Sequence, residues 1–242
     1  MTNKPKKGPL SGRVTLVTGA SRGIGYAAAI ELAKAGSHII ATARTQGGLE
    51  DLDDAIRAIG GEATIVPMDL RHPDGVDQLG KAVYDRWGRL DGLLANAGLL
   101  GEIAPVPHIS PKKFDETIAV NVTANFRLIR SFDQLLRDAP SGRAVFMSSS
   151  SAQSRKAFWG VYAASKSALD AMVQSWAEET EITNLRVNLV YPGPVRTQMR
   201  AKAMPGEDPE TLPKPSDIAK RIVPLLAPEC QSHGEIVNLN KA

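Results

Sequence analysis

Tyr162 and Lys166 stand four residues apart at the end of the stretch Ser148–Lys166, "SSSSAQSRKAFWGVYAASK". On a helix that spacing places both side chains on one face, a single turn apart. A free phenol titrates near pH 10 and exchanges protons poorly at neutral pH. An ammonium group held beside it favours the phenolate and lowers that value. A drop of ~3 pH units takes about 4 kcal/mol of differential interaction, which only a desolvated, preorganised site supplies. The pair therefore suits acid–base chemistry at an oxygen atom. A solvated tyrosine and lysine on an amphipathic helix would show the same spacing. Any of the serines Ser148–Ser151 beside them is either a turn residue or a donor to developing oxyanion charge.

The elements that must carry these side chains alternate along the chain. Short apolar, β-branched runs at Val14–Thr18, Ile39–Ala43, Ala63–Val66, Leu90–Ala95, Val145–Ser148, Arg186–Val190 and Glu235–Leu239 read as strands. They lack polar alternation, as strands do when helices cover both faces. Helical periodicity fills the intervals, from the glycine turn to about Ala35, and over about 49–59, 75–87, 111–136, 159–180 and 215–226. The expected fold class is α/β: a single doubly wound, Rossmann-type domain with a seven-stranded parallel sheet and helices on both faces. The domain is expected to span residues 13–242, after a flexible basic tail at residues 1–12. No linker divides it, and no repeat is evident.

Ligands of such sheets bind beyond the carboxyl ends of the strands. The first strand-to-helix turn is "TGASRGIG", Thr18–Gly25. Gly19 permits a sharp exit from the strand, and Gly23 and Gly25 let backbone and helix approach a phosphate without a Cβ in the way. The following helix offers free N–H groups and the positive end of its dipole to a pyrophosphate. At the end of the second strand, where a carboxylate would hold the ribose of NAD, the chain has Ala43 followed by Arg44. Arg44 and Arg22 together could grip a 2′-phosphate in fork geometry. Both could also be solvated loop residues. The expected cofactor is NADP(H), preferred over NAD(H).

"TGASRGIG", "ANAG" (Ala95–Gly98), Asn121, a serine thirteen residues before a tyrosine, "YAASK" and "YPGPVRT" (Tyr191–Thr197) occur in one order. In that order the chain resembles the short-chain dehydrogenase/reductase family from Arg13 to Leu239. The resemblance implies a catalytic set of Asn121, Ser149, Tyr162 and Lys166, Ser149 being the serine thirteen before Tyr162, and leaves Ser148, Ser150 and Ser151 as turn residues. It implies that Asn121, inside the long helix, holds a water leading protons to Lys166. The cofactor would contact Gly19, Ser21, Arg22, Gly23, Ile24, Gly25, Arg44, Asp69, Leu70, Asn96, Ala97, Gly98, Tyr162, Lys166, Pro192, Gly193, Val195 and Thr197. Asp69 would meet the adenine edge, Lys166 the nicotinamide ribose and Thr197 the carboxamide. The chain departs from the common pattern at Ala95, where many members have asparagine, and in lacking a Gly-Gly ending.

The implied activity is hydride transfer between NADP(H) and a carbonyl or alcohol, with Tyr162 as general acid and base. A 3-oxoacyl-carrier-protein reductase would use the same site, with Arg196, Arg200 and Lys202 facing an acidic carrier. A non-catalytic NADP(H) sensor is the reading from another class. Substrate walls are expected from Leu99, Ser151, Trp159 and residues 199–204, under a mobile lid between Gly193 and Pro213 with little helix. Family members pair the helices at 111–136 and 159–180, so a homodimer or homotetramer is expected.

Composition limits the other classes. The net charge of +3 lies wholly in Lys4, Lys6 and Lys7. Without those three the remaining 26 basic residues equal the 26 acidic ones, so no basic face for nucleic acid is expected on the folded body. Cys230 is the one cysteine, which excludes an internal disulfide, and with His233 it makes half a metal site at most. No metal is expected. No apolar run reaches the ~18 residues of a membrane span, and no signal peptide is readable. A cytoplasmic location is expected.

Overall fold

The computed structural model describes residues 8–240. Seven strands form one parallel sheet: β1 (Val14–Thr18), β2 (His38–Ala43), β3 (Ala63–Pro67), β4 (Gly92–Ala95), β5 (Arg143–Met147), β6 (Arg186–Tyr191) and β7 (Ile236–Asn238). Their order is β3-β2-β1-β4-β5-β6-β7. Every residue of β1, β4 and β5 is buried, which explains why these mostly apolar strands lack polar alternation. The chain winds outwards in one direction from β1 to β3 and in the other from β4 to β7. The crevice for a ligand therefore lies between the ends of β1 and β4.

Two apolar layers sandwich the sheet. On one face α1 (Gly23–Lys34), α2 (Gln46–Ala58) and α9 (Pro215–Ile222) bury Ala28, Leu32, Leu52, Ile56 and Ile218. On the other face lie α3 (Pro73–Trp87), α5 (Ala124–Arg137) and α7 (Gly160–Thr180). They bury Val76, Val83, Phe132, Leu169 and Trp176, with Phe146 edge-on to Trp176 at 6.0 Å. Each of the Val, Leu, Ile and Phe side chains among these stabilises the fold by roughly 1.5–3 kcal/mol relative to exposure.

Four elements differ from the sequence reading. The helix expected over 111–136 is α4 (Pro111–Ile118) and α5, joined by a π-helical turn at Ala119–Thr123 that widens the helix around Asn121. A four-residue helix α6 (Ser151–Ser154) follows the serine run. The lid contains α8 (Gln198–Ala203), whose first turn the Thr197 hydroxyl caps by accepting from Arg200 N–H at 3.2 Å. Its ion pairs, Arg200–Glu207 at 2.5 Å and Arg196–Glu210 at 2.7 Å, are local. Finally, part of the expected tail packs: Leu10 is fully buried and its N–H donates to Ala35 O at 2.9 Å. The three tail lysines lie outside the described residues.

Candidate active site and dinucleotide cleft

A cleft of about 1200 Å³ opens over the carboxyl ends of β1, β2, β4 and β5. Gly19, Ser21, Arg22, Gly23, Ile24, Arg44, Asp69, Leu70, Asn96, Ala97, Gly98, Tyr162, Lys166, Pro192 and Thr197 all line it. At its floor the Thr18 hydroxyl accepts from the N–H groups of Asn96 and Ala97, each at 3.0 Å. Asn96 Nδ2 in turn donates to Thr18 O and Gly19 O. These bonds clamp the ends of β1 and β4 together at the crevice.

The glycine turn fits a pyrophosphate. Gly19 has φ +66°, and a Cβ there would lie 2.9 Å from Ala97 Cα. Gly23 has φ +60° but open space around it, its nearest neighbour being Thr197 Cγ2 at 3.6 Å. The N-terminus of α1 has no side-chain cap and no acid in its first turn, so its N–H groups face the cleft free. Gly25 plays a different part from the one expected. It does not line the cleft, and a Cβ there would meet Asn96 Nδ2 and Gly19 O at 2.4 Å. Val195 is likewise core rather than lining, at 4% exposure. Gly193, with φ +75°, turns the chain against Asn240 instead of facing the cleft.

The candidate proton-transfer groups converge at the other end. Tyr162 and Lys166 share one face of α7, with Lys166 Nζ 5.8 Å from the phenol ring centroid. Trp159 stands edge-on to the same ring at 5.9 Å. Lys166 is buried, donates to Met147 O at 2.7 Å, and is brought down to about pKa 8 by desolvation, which the charge of Asp170 opposes. Burial pushes the Tyr162 phenol up, and its hydrogen bond with Ser149 acts against that. With the Lys166 ammonium aimed at a backbone carbonyl, desolvation sets the direction for the phenol. The protonated phenol is the form that gives a proton away.

Ser149, half-buried at the end of β5, is the serine that reaches Tyr162. Ser151 Oγ accepts from it at 3.2 Å. Ser150 is exposed. Ser148 is not a turn residue: it is buried, and its hydroxyl donates to Asp170 Oδ1. Asn121 is fully buried in the π turn; its Oδ1 accepts from Leu99 N at 2.7 Å and its Nδ2 donates to Ser165 Oγ at 2.9 Å. A Cβ on Gly98 would lie 3.4 Å from Asn121 Oδ1 and 3.7 Å from Lys166 Nζ, so these three residues adjoin. The Asn121 carbonyl accepts from Asn125 Nδ2 at 2.8 Å.

At the opposite end Arg22 and Arg44 are exposed, and neither forms an ion pair among the described residues. Asp69 is gripped by Arg71, through Nε at 3.0 Å and Nη2 at 2.6 Å, which holds its carboxyl at about pKa 2. Sequence reasoning missed Arg71, which also lines the cleft. Of the expected substrate walls, Leu99, Met199 and Lys202 line the cleft. His233 is held by Val187 N and Ala177 O.

Comparison with known proteins agrees with this geometry. Residues 13–208 match the short chain dehydrogenase family. The chain belongs to that family. It is 39% identical to the uncharacterized oxidoreductase YciK of Escherichia coli K12, over 90% of this chain and 87% of that protein. A short chain dehydrogenase from Salmonella enterica serovar Typhi superimposes with a TM-score of 0.93, at 36% identity over 98% of this chain and 99% of that one. A short chain dehydrogenase from Escherichia coli CFT073, solved in complex with NADPH, gives 0.90 at 37% identity over 97% and 99%. Short-chain dehydrogenases are oxidoreductases, and the seven-stranded parallel sheet is common to this chain and these structures. Among the described residues no helix is long and apolar enough to cross a membrane.

Proposed function

We propose that this short-chain dehydrogenase transfers a hydride between NADP(H) and a small carbonyl or alcohol substrate. One observation carries the reading. Tyr162, hydrogen-bonded to Ser149, and Lys166 line one end of a cleft whose other end holds an uncapped helix N-terminus flanked by Arg22 and Arg44. NADPH in the similar Escherichia coli CFT073 structure supports the cofactor, and the two unpaired arginines support its phosphorylated form over NAD(H).

A bound nicotinamide would supply or accept the hydride at the substrate carbon. In reduction the carbonyl oxygen sits between Ser149 and Tyr162. Ser149 donates a hydrogen bond to the oxygen as negative charge grows there. Tyr162, held protonated by burial, releases its proton to that oxygen as the new C–H bond forms, leaving phenolate and alcohol. The Lys166 ammonium then faces a phenolate and stabilises it. In oxidation the same groups act in reverse. Asn121 fixes the strand-end loop at Leu99 and so holds Gly98 beside Lys166.

Two of the three basic lid residues are paired with acids of the lid itself, which weakens the case for docking an acidic carrier protein. A purely sensing role is disfavoured by four intact catalytic positions. The α5–α7 face leaves Phe126 half-exposed beside Ile129 and Trp176, and supports pairing of two copies; sedimentation at micromolar concentration tests this, and a monomer would refute it. The deciding assay is a panel of ketones, aldehydes and 3-oxoacyl thioesters with NADPH and NADH. Turnover of simple carbonyls with NADPH is expected. Turnover confined to thioesters, or absent throughout, would overturn the reading.

A further inference from the structure

We propose that Asp170 is a positioning residue of the proton-transfer site, whose carboxylate keeps Lys166 in its ammonium form and joins the three elements that carry Ser149, Lys166 and the Pro192–Gly193 turn. The inference rests on the reading of Tyr162 and Lys166 as the proton-transfer pair.

Asp170 lies one turn beyond Lys166 and two beyond Tyr162 on the same face of α7, and is only 7% exposed. Oδ1 accepts from Ser148 Oγ and Oδ2 from Tyr191 Oη. Ser148 directly precedes Ser149 at the end of β5. Tyr191, the last residue of β6, directly precedes Pro192. One carboxylate therefore fixes α7 to the ends of two strands, at the residues adjoining the site. A buried aspartate with two hydroxyl donors has no solvent to share its charge with.

The neighbouring cation gives that charge a purpose. Lys166 is 4% exposed, and its hydrogen bond goes to a neutral carbonyl, Met147 O. Desolvation drives such an ammonium towards the neutral amine, and a neutral amine would not stabilise a phenolate at Tyr162. The groups facing Asp170 are Lys166 from its own helix, Ser148 from β5 and Tyr191 from β6. Asp170 is thus the anion that opposes the loss of the Lys166 proton. Burial raises the Asp170 carboxyl above its ordinary value, and the hydroxyls of Ser148 and Tyr191 and the charge of Lys166 act against that. Removing the carboxylate lowers the Lys166 midpoint, while removing one hydroxyl raises Asp170 but leaves its charge beside Lys166 as long as it stays ionised.

A carboxylate that merely stitched the fold together would move stability and leave the Lys166 titration alone. The test is a pH titration of the full chain labelled with 13Cε-lysine, the Lys166 signal being identified by its loss in Lys166→Met. In Asp170→Asn the Lys166 midpoint should fall by about one pH unit or more, a tenfold or greater change in its acid constant. Asp170→Glu should restore most of it, and Tyr191→Phe, which leaves the carboxylate in place, should change it much less. An unchanged midpoint in folded Asp170→Asn overturns the proposal. If that variant does not fold, Asp170→Ser is titrated in its place, and an unchanged midpoint there overturns the proposal. The titration needs no substrate, so it fails separately from the reductase reading, which falls if Tyr162→Phe retains its turnover.

Discussion

The two ends of the cleft are built by opposite means. At the β5–α7 end Lys166, Asn121, Ser148 and Asp170 are buried, and each is held by partners from another element. At the β2–β3 end Arg22 and Arg44 stand in solvent without ion-pair partners among the described residues. Chemistry on a proton needs atoms fixed in a low-dielectric setting, where a few tenths of an ångström and one charge change pKa values strongly. Selecting a phosphate needs only cations within reach, and rigidity adds little there. Substitutions at the first end should therefore cost rate by large factors. Those at the second should cost affinity by small, salt-sensitive ones.

The largest effect is expected at Tyr162. Tyr162→Phe keeps the ring and its edge contact with Trp159 but removes the proton, so kcat should fall at least ~100-fold. The Kd for NADPH should change little. Near-normal turnover in this variant would show that the buried end is not the catalytic one. Next comes Ser149→Ala, with a loss of ~10–1000-fold. Ser150→Ala, at an exposed neighbour, should cost much less. The reverse ranking would put the oxyanion donor elsewhere on the serine run.

The contrast also separates what the sequence could reveal from what it could not. The alternation of seven strands with helices, the glycine turn and the Tyr162–Lys166 pair were legible because they rest on local periodicity and fixed spacing. Ser148 was read as a turn residue because its partner Asp170 is 22 positions away and belongs to a helix whose pattern looks simply amphipathic. The π turn at Asn121 was hidden because the weak helix formers of "AVNVT" mark no particular kind of turn, and the contacts of Asn121 with Leu99 and Ser165 are tertiary. Helix α8 had a signal that was passed over, a threonine at the N-cap before a short helix-forming run. Arg71 carries no motif at all. Its place follows from Asp69, two residues earlier, and from the way the chain turns after β3.

Arg44→Ala tests the solvated end. A charge-assisted hydrogen bond contributes ~1.5–3 kcal/mol when well formed, and exposure brings this one to the lower limit. NADPH should weaken by roughly tenfold and NADH hardly at all, with a gap that narrows as salt rises. Equal loss for both cofactors, or tighter NADH binding in the wild type, would overturn the NADP preference.

The smallest effect is expected from Arg71→Gln, because its pair with Asp69 lies at the rim. Arg71 holds the Asp69 carboxyl at about 2, below the ordinary 3.8. A carboxyl depressed in the folded state adds stability at pH values above its unfolded pKa, and loses it as pH falls through the folded one. Wild type should therefore melt above Arg71→Gln at neutral pH, and the gap should close between about pH 4 and about pH 2. The gap will be modest, since the guanidinium is 39% exposed and screened by water. Thermal melts of both proteins across that range are the measurement. A gap that stayed constant with pH would mean that Arg71 supports the fold by packing alone, and that Asp69 is no more strongly ionised than any surface aspartate. The second end of the cleft would then be less organised still than its two unpaired arginines already imply.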